Sequence, residues 1–346
     1  MAPVIRVLRQ TPDFRMTVLG SGQHRDLLEP LLDWFGIRIQ RDLGVMIEGQ
    51  SLAGLTARLM TALDACLAET RPDLVVAQGD TTTVMCAALC CFYRNIPFAH
   101  VEAGLRTFDL RNPFPEEFNR ALAGKLARFH FCPTRRAAEN LAKEGVDAAT
   151  VFVTGNTVID ALHDTVSRLP PSSSRQGKRQ ILLTMHRRES FGAPLERVCA
   201  ALLRLCRIFS DLSVLYPVHP NPQVKRPVSR LLAGHPRIRL VEPLGYPELV
   251  AAMRDSYFIL TDSGGIQEEA PALGKPVLVL REVTERPEAM ELGVAKLVGT
   301  DPETIVAEAA RLLEDSAHYQ AMARGGSPYG DGRAAQRIRD ILAERL

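Results

Sequence analysis

Apolar and polar positions along this chain follow two periods, and the periods alternate. Val4, Ile5 and Leu8 in "APVIRVLRQ" form an i, i+1, i+4 stripe that predicts an amphipathic helix. "MTVLGSG" (16–22) predicts a short buried strand closed by glycines. "HRDLLEPLLDWFG" and "SLAGLTARLMTALDACLAET" predict helices, the second with Ser51 as N-cap. Strand-like runs ending in glycine or a polar turn follow ("PDLVVAQGD", "IPFAHVEAG", "RFHFCPT", "TVFVTG"), each succeeded by a helical pattern. Such alternation predicts right-handed βαβ crossovers and a mostly parallel sheet. "PPSSSRQGKRQ" (170–180) has no apolar period and reads as a linker. Beyond it the alternation restarts with "ILLTM" and passes through "LSVLYPV", "IRLVEPL", "FILTDSGG" and "PVLVL", then helices to the end. The expected fold is α/β: two doubly wound, Rossmann-like domains, 1–169 and 181–328.

Composition narrows the class. At 346 residues, two cores of roughly 150–180 residues each are expected. An apolar fraction of 46% and a charged fraction of 24% are those of an ordinary globular protein, and a net charge of +2 gives no reason to expect nucleic acid or an acidic membrane. No apolar run reaches the ~18 residues that span a bilayer, and no signal-peptide core opens the sequence, so a cytoplasmic enzyme or binding protein is expected. The seven cysteines include no CxxC pair, and they read as small buried hydrophobes.

Ligands of doubly wound sheets bind at the carboxyl ends of strands, so the loops there carry the candidate chemistry. In "AQGDTTT", Asp80 ends a strand; it or the threonines either cap the next helix or act on a ligand. In "AHVEAGLRT", Glu102 again stands at a strand end. In "NPFPEEFNR", Glu116 and Glu117 occupy a helical first turn, where they complement the dipole whatever the function. Following consecutive strands on one rim, Asp80, Glu102 and Glu116 are placed to converge. A carboxylate cluster can keep one acid protonated and another ionised, as proton abstraction from carbon requires.

In the second half, "LTMHRRESFG" puts His186, Arg187 and Arg188 just past a strand, where guanidinium forks suit a diphosphate or form a solvated basic turn. His219 in "YPVHPNP" stands between prolines, where rigid turn geometry is an alternative role. "LTDSGGIQEEAPALGKP" carries the strongest signal. A strand ends in Asp262-Ser263-Gly264-Gly265 and enters a helix whose N-terminal N–H groups suit a phosphate. Glu268 and Glu269 follow, placed for ribose hydroxyls, and Arg286 in "TERPEA" adds charge. The pattern is neither a dinucleotide fingerprint nor a P-loop.

Taken together, "GDTTT", "HVEAGLRT", "PFPEEFNR", "TGNTVIDAL", "HRRESFG", "PVHPNP", "LTDSGGIQEEAPALGKPVLVLREVTERPEA" and "SPYGDG" closely resemble the non-hydrolysing UDP-N-acetylglucosamine 2-epimerases, in order along nearly the whole chain. The resemblance implies the GT-B fold with the nucleotide sugar in an interdomain cleft, a last helix (329–346) returning to the N-terminal domain, and a homodimer in the bacterial cytoplasm. It implies interconversion of UDP-GlcNAc and UDP-ManNAc, for surface polysaccharide precursors, through elimination of UDP to 2-acetamidoglucal, with neither metal nor nicotinamide. By the same resemblance Asp80, Glu102, Glu116 and His186 are catalytic. Ser263, Gly264 and Gly265 hold the diphosphate, Glu269 the ribose, and Arg286 makes a further UDP contact; Arg187, from its guanidinium beside His186, is a further substrate-binding candidate. Gln23, His24 and Arg25, with His219, match an activating second site for UDP-GlcNAc.

The sequence departs from the family at Phe114, often tryptophan, and at Met185, often small or polar. Family members also carry a strand, a "GTRPE" loop and a lysine ahead of "MAPV", where this sequence opens. That difference predicts weak or absent turnover for these 346 residues. Three other readings compete with the epimerase: a hydrolysing relative that releases ManNAc and UDP, a GT-B glycosyltransferase, and a UDP-sugar-binding protein with little activity.

Overall fold

The computed structural model describes residues 1–22, 25–47, 49–172, 178–284, 286–324 and 326–346, with the backbone alone for Arg25, Asp26, Leu27 and Arg188. The chain divides into two compact units, Met1–Ala161 with Tyr329–Leu346, and Leu162–Pro328.

The first unit begins with α1 (Ala2–Arg9), β1 (Leu19–Gly20), α2 (Arg25–Phe35) and β2 (Arg41–Asp42). It continues with α3 (Leu52–Thr70), β3 (Val75–Gln78), α4 (Thr82–Tyr93), β4 (Phe98–Val101), α5 (Glu116–Leu126), β5 (Phe129–Cys132), α6 (Arg135–Lys143), β6 (Val151–Val153) and the start of α7 (Thr157–Arg168). Strands β3-β4-β5-β6 form one parallel sheet in chain order, and β1 pairs with β2 apart from it. The strand expected over 16–22 shrinks to Leu19–Gly20, the residues that find a ladder opposite Arg41–Asp42.

Helices cover both faces of the four-stranded sheet. On one face, Leu55, Leu59 and Leu63 of α3 and the small, apolar side chains of α4 pack over Phe98. Ser51 caps α3 as expected, accepting from Gly54 N–H. On the other face, Val4 and Leu8 of α1 meet Val101, Phe129 and Phe131, together with Ile338 and Leu342 of the last helix (Ala334–Arg345). Burying each of these large aliphatics contributes about 1.5–3 kcal/mol. The Asp160 carboxylate fastens that helix by accepting from Ala335 N–H (2.8 Å) and Ala334 N–H (3.1 Å).

The second unit contains β7 (Arg179–Thr184), α8 (Ala193–Ile208), β8 (Leu212–Pro217), α9 (Pro222–Leu232), β9 (Ile238–Val241), α10 (Tyr246–Asp255), β10 (Phe258–Thr261), α11 (Gly264–Ala272), β11 (Val277–Val279), α12 (Pro287–Glu291), β12 (Ala295–Leu297), α13 (Pro302–Glu314) and α14 (Ser316–Ala323). The helix over Ala334–Arg345, which returns to the first unit, is α15. The parallel sheet runs β9-β8-β7-β10-β11-β12, the strand order of a dinucleotide-binding fold. Its core gathers Leu183, Met185, Val198, Leu202, Tyr216, Phe258 and Ile305.

The units divide at Ala161–Leu162, inside α7, and β7 already begins at Arg179; residues 173–177 of the segment expected as a linker lie outside the described residues. Strand β12 is an addition to the expected elements. All seven cysteines are buried and free, and burial pushes the Cys86, Cys91, Cys132 and Cys199 thiols up to about 12.

Candidate functional site

In the second unit, strand order reverses between β7 and β10, so their carboxyl ends mark the switch point where such sheets bind ligands. The strands end side by side, with the Thr184 and Thr261 hydroxyls 2.6 Å apart. After β10 the chain turns through Asp262 and Ser263 into α11, and Thr261 Oγ1 pins the turn by accepting from Ser263 N–H (2.9 Å). Ser263 is the N-cap residue but makes no side-chain cap, which leaves the first-turn N–H groups and the positive end of the dipole for an anion. A Cβ on Gly264 would lie 3.2–3.4 Å from the Arg286 guanidinium, so that cation sits over the start of the helix. Arg286 Nε also donates to Glu268 Oε1 (2.7 Å), one turn further in.

Glu269 is buried beside Glu268 and accepts a hydrogen bond from Tyr246 OH at 2.7 Å. Burial pushes its carboxyl up to about 7, with the neighbouring Glu268 adding to the rise. After β7, the turn through His186 and Arg187 folds onto Asp262: His186 and Arg187 donate backbone N–H to its carboxylate, and Ser190 its hydroxyl. His219 Nδ1 accepts from Asn221 N–H (3.2 Å) and its ring lies 6.3 Å from that of Phe191, which braces the turn into α9. Gln23 and His24 lie outside the described residues, and so does the side chain of Arg25.

The first unit presents carboxylates at the ends of β3 and β4, adjacent strands in which Gln78 pairs with Val101. Thr81, not Asp80, caps α4, accepting from Val84 N–H. The Asp80 carboxylate instead meets Arg120 of α5, with Nη2 at 2.6 Å and Nε at 2.9 Å from Oδ2, while Asn119 Nδ2 donates to its carbonyl (2.8 Å). Arg120 also reaches Glu117 Oε2 (3.3 Å). Glu117 is 1% exposed, and its Oε1 accepts from Thr107 and Phe108 N–H, both at 3.0 Å. Glu116 opens α5, one turn before Arg120, so the helix that grips Asp80 brings Glu116 to the same rim.

Glu102 has φ +65°, a left-handed backbone that costs a non-glycine residue about 1–2 kcal/mol. Its turn is held from outside: Ala103 N–H donates to Phe131 O, and Gly104 passes so close to Ala137 that a Cβ there would fall 2.1 Å from its carbonyl oxygen. Glu102 Oε2 accepts from Gln78 Nε2 at 3.1 Å. His100, two residues earlier, places Nε2 2.8 Å from Gly79 O, and burial pulls its imidazole down to about 4. Arg120, Asn119, His100 and Tyr246 are the members of these sites that sequence reasoning missed. For Arg120 and Asn119 the signal was their position one turn after Glu116; none marked His100 or Tyr246.

A helix start with no side-chain cap at the switch point of a Rossmann-ordered sheet, and a second parallel α/β unit with carboxylates on its strand ends, define a two-unit α/β protein of the nucleotide-binding class. Known proteins sharpen this. A family model described as UDP-N-acetylglucosamine 2-epimerase matches residues 6–343. The UDP-N-acetylglucosamine 2-epimerase of Escherichia coli (strain K12) is 46% identical over 354 residues, covering 99% of this chain and 94% of that protein. The Neisseria meningitidis UDP-GlcNAc 2-epimerase, solved bound to UDP-GlcNAc, superposes with a TM-score of 0.92 at 40% identity, over 100% of this chain and 96% of that one. The S. aureus MnaA structure with UDP superposes with a TM-score of 0.89 at 43% identity, over 99% and 91%. The chain belongs to the UDP-N-acetylglucosamine 2-epimerase family, and it is an epimerase with the α/β GT-B fold.

Proposed function

We propose that the chain interconverts UDP-GlcNAc and UDP-ManNAc by inverting C2 through elimination and re-addition of UDP. A base takes the C2 proton, the C1–O bond breaks with its electron pair leaving on the diphosphate, and 2-acetamidoglucal forms. Protonation of C2 from the other face and return of the diphosphate oxygen to C1 complete the epimer. Asp80, Glu102 and Glu116 carry the proton transfers and hold the intermediate. Ser263, Gly264, Gly265, Arg187 and Arg286 take the diphosphate, with His186 beside it, and Glu269 takes the ribose hydroxyls. The enzyme works in the cytoplasm as a homodimer.

The observation that carries this reading is the Arg286 guanidinium lying over Gly264 at the uncapped start of α11. C2–H is a weak carbon acid, so its removal is productive only if the departing charge is met, and preorganised donors at a leaving diphosphate do that. The test is to incubate the protein with UDP-GlcNAc in D2O and follow ¹H NMR. UDP-ManNAc bearing deuterium at C2 is expected. Free ManNAc with UDP would instead establish the hydrolysing reaction, and unchanged UDP-GlcNAc would leave a nucleotide-sugar-binding protein.

A further inference from the structure

One buried acid in the second unit takes no part in the steps above. Asp262 is fully buried at the end of β10, where it belongs to the same turn as Ser263 and Gly264. An ionised carboxylate in such a place needs several donors. It could draw on the N-terminal N–H groups of its own helix, α11. It receives instead the turn that follows β7. His186 N–H lies 3.2 Å from Oδ1 and 3.1 Å from Oδ2, Arg187 N–H 3.0 Å from Oδ2, and the Ser190 hydroxyl 2.8 Å from Oδ2. His186 Nδ1 lies 3.4 Å from Oδ1, while that side chain is 49% exposed. The ring therefore turns one nitrogen to a buried acceptor and keeps the other for what arrives from outside.

We propose that Asp262 is a positioning residue for His186: it holds hydrogen on Nδ1, fixes the ring's orientation through the backbone on either side, and leaves Nε2 to act on the substrate. A carboxylate oxygen only accepts, so the histidine form with hydrogen on Nδ1 is selected, and the second nitrogen becomes the working one. Separations of this size tighten when substrate closes on a site. Asp262 does not hold the anion turn itself. That turn has its own ties, from Ser263 N–H to Thr261 Oγ1 (2.9 Å) and from Gln267 Nε2 to Ser263 O (3.2 Å). Removing the charge of Asp262 while keeping an acceptor for the Arg187 N–H is therefore expected to impair the chemical step more than nucleotide binding.

The inference rests on the catalytic assignment of His186, and a double-mutant cycle tests the two separately. Asp262→Asn keeps an oxygen for the backbone N–H groups but can turn an N–H toward Nδ1. It is expected to lower kcat by about 100-fold or more, with the Kd for UDP within about threefold of wild type. In a His186→Asn background the same substitution is expected to change kcat by less than about twofold, because the group it positions is gone. Long-range ¹⁵N spectra of the wild type, with His186 assigned by its loss in His186→Asn, are expected to show hydrogen on Nδ1. An equal loss in both backgrounds, or a neutral His186 with hydrogen only on Nε2, overturns the inference, and the spectrum decides alone if Asp262→Asn does not fold. Full turnover in His186→Asn overturns the assignment of His186 itself and leaves Asp262 nothing to position.

Discussion

Asp80 and Asp262 stand at equivalent places, each just past the carboxyl end of a parallel strand, one in each unit, yet they are satisfied by opposite means. Asp80 meets a guanidinium delivered by the next strand's helix. Asp262 meets backbone N–H groups and a hydroxyl. The first arrangement balances charge with charge: Arg120 joins Asp80 to Glu117, and a cluster of acids is kept together by one cation. The second holds a charge with dipoles and leaves the positive end of α11 for a ligand. In the first unit a cation binds two acids to one helix; in the second the buried acid stays off the start of α11 and takes its donors from the turn after β7.

Glu102→Gln and Asp80→Asn are expected to lower turnover by 10²- to 10⁴-fold, roughly, with UDP affinity unchanged within about threefold. Epimerisation followed by NMR and UDP titration calorimetry would separate the two, and a matching loss of UDP binding would contradict the division of labour. Arg120→Met strips the buried Glu117 and the half-buried Asp80 of their shared cation, at an expected cost of about 3 kcal/mol. Tyr246→Phe, which removes one neutral donor from Glu269, is expected to cost about 0.5–1.5 kcal/mol. Denaturant unfolding of the two variants would erase the contrast if the costs came out equal.

Gly264→Ala puts a methyl group 3.2 Å from Arg286 Cζ, so the guanidinium has to shift, and UDP is expected to bind about tenfold more weakly. Unchanged affinity would show that Arg286 does not need that position. In pH response the units oppose each other. His100 is pulled down to about 4, so its contribution to stability is complete above its ordinary value of 6.5 and is lost as pH falls toward 4. Glu269 is pushed up to about 7, so its contribution is complete below its ordinary 4.5 and is lost as pH rises through 7. The unfolding temperature of Glu269→Gln relative to wild type is therefore expected to climb from about pH 4.5 to about pH 7 and then level off. A difference that is flat in pH would remove Glu269 from the account.

Much of this was legible along the chain, for reasons that differ by region. Turn, glycine and helix start are contiguous in Asp262-Ser263-Gly264-Gly265, so local pattern suffices to place that site at a strand end. The strand-end positions of Asp80 and Glu102 follow from the same alternation. What they bond to does not. Arg120 lies forty residues from Asp80, and Tyr246 twenty-three from Glu269, distances that only the folded sheet closes. Strand β12 escaped notice because Ala295–Leu297 is three residues long with a lysine at its centre. The expected strand at 16–22 was too generous because apolar residues there outnumber those with a ladder to join.

The way α15 is tied down has a consequence for the order of events during synthesis. The second unit is one continuous stretch, Leu162–Pro328, whereas the first is written in two pieces separated by all of it. Ile338 and Leu342 close a sheet face whose other members, Val4 and Phe131, leave the ribosome hundreds of codons earlier. Domains fold as their sequence is completed, so the later-encoded unit can be finished first while the earlier one waits with that face only partly covered, by α1. The Asp160 carboxylate that receives the N–H groups of Ala334 and Ala335 is thus a clasp set early and shut last.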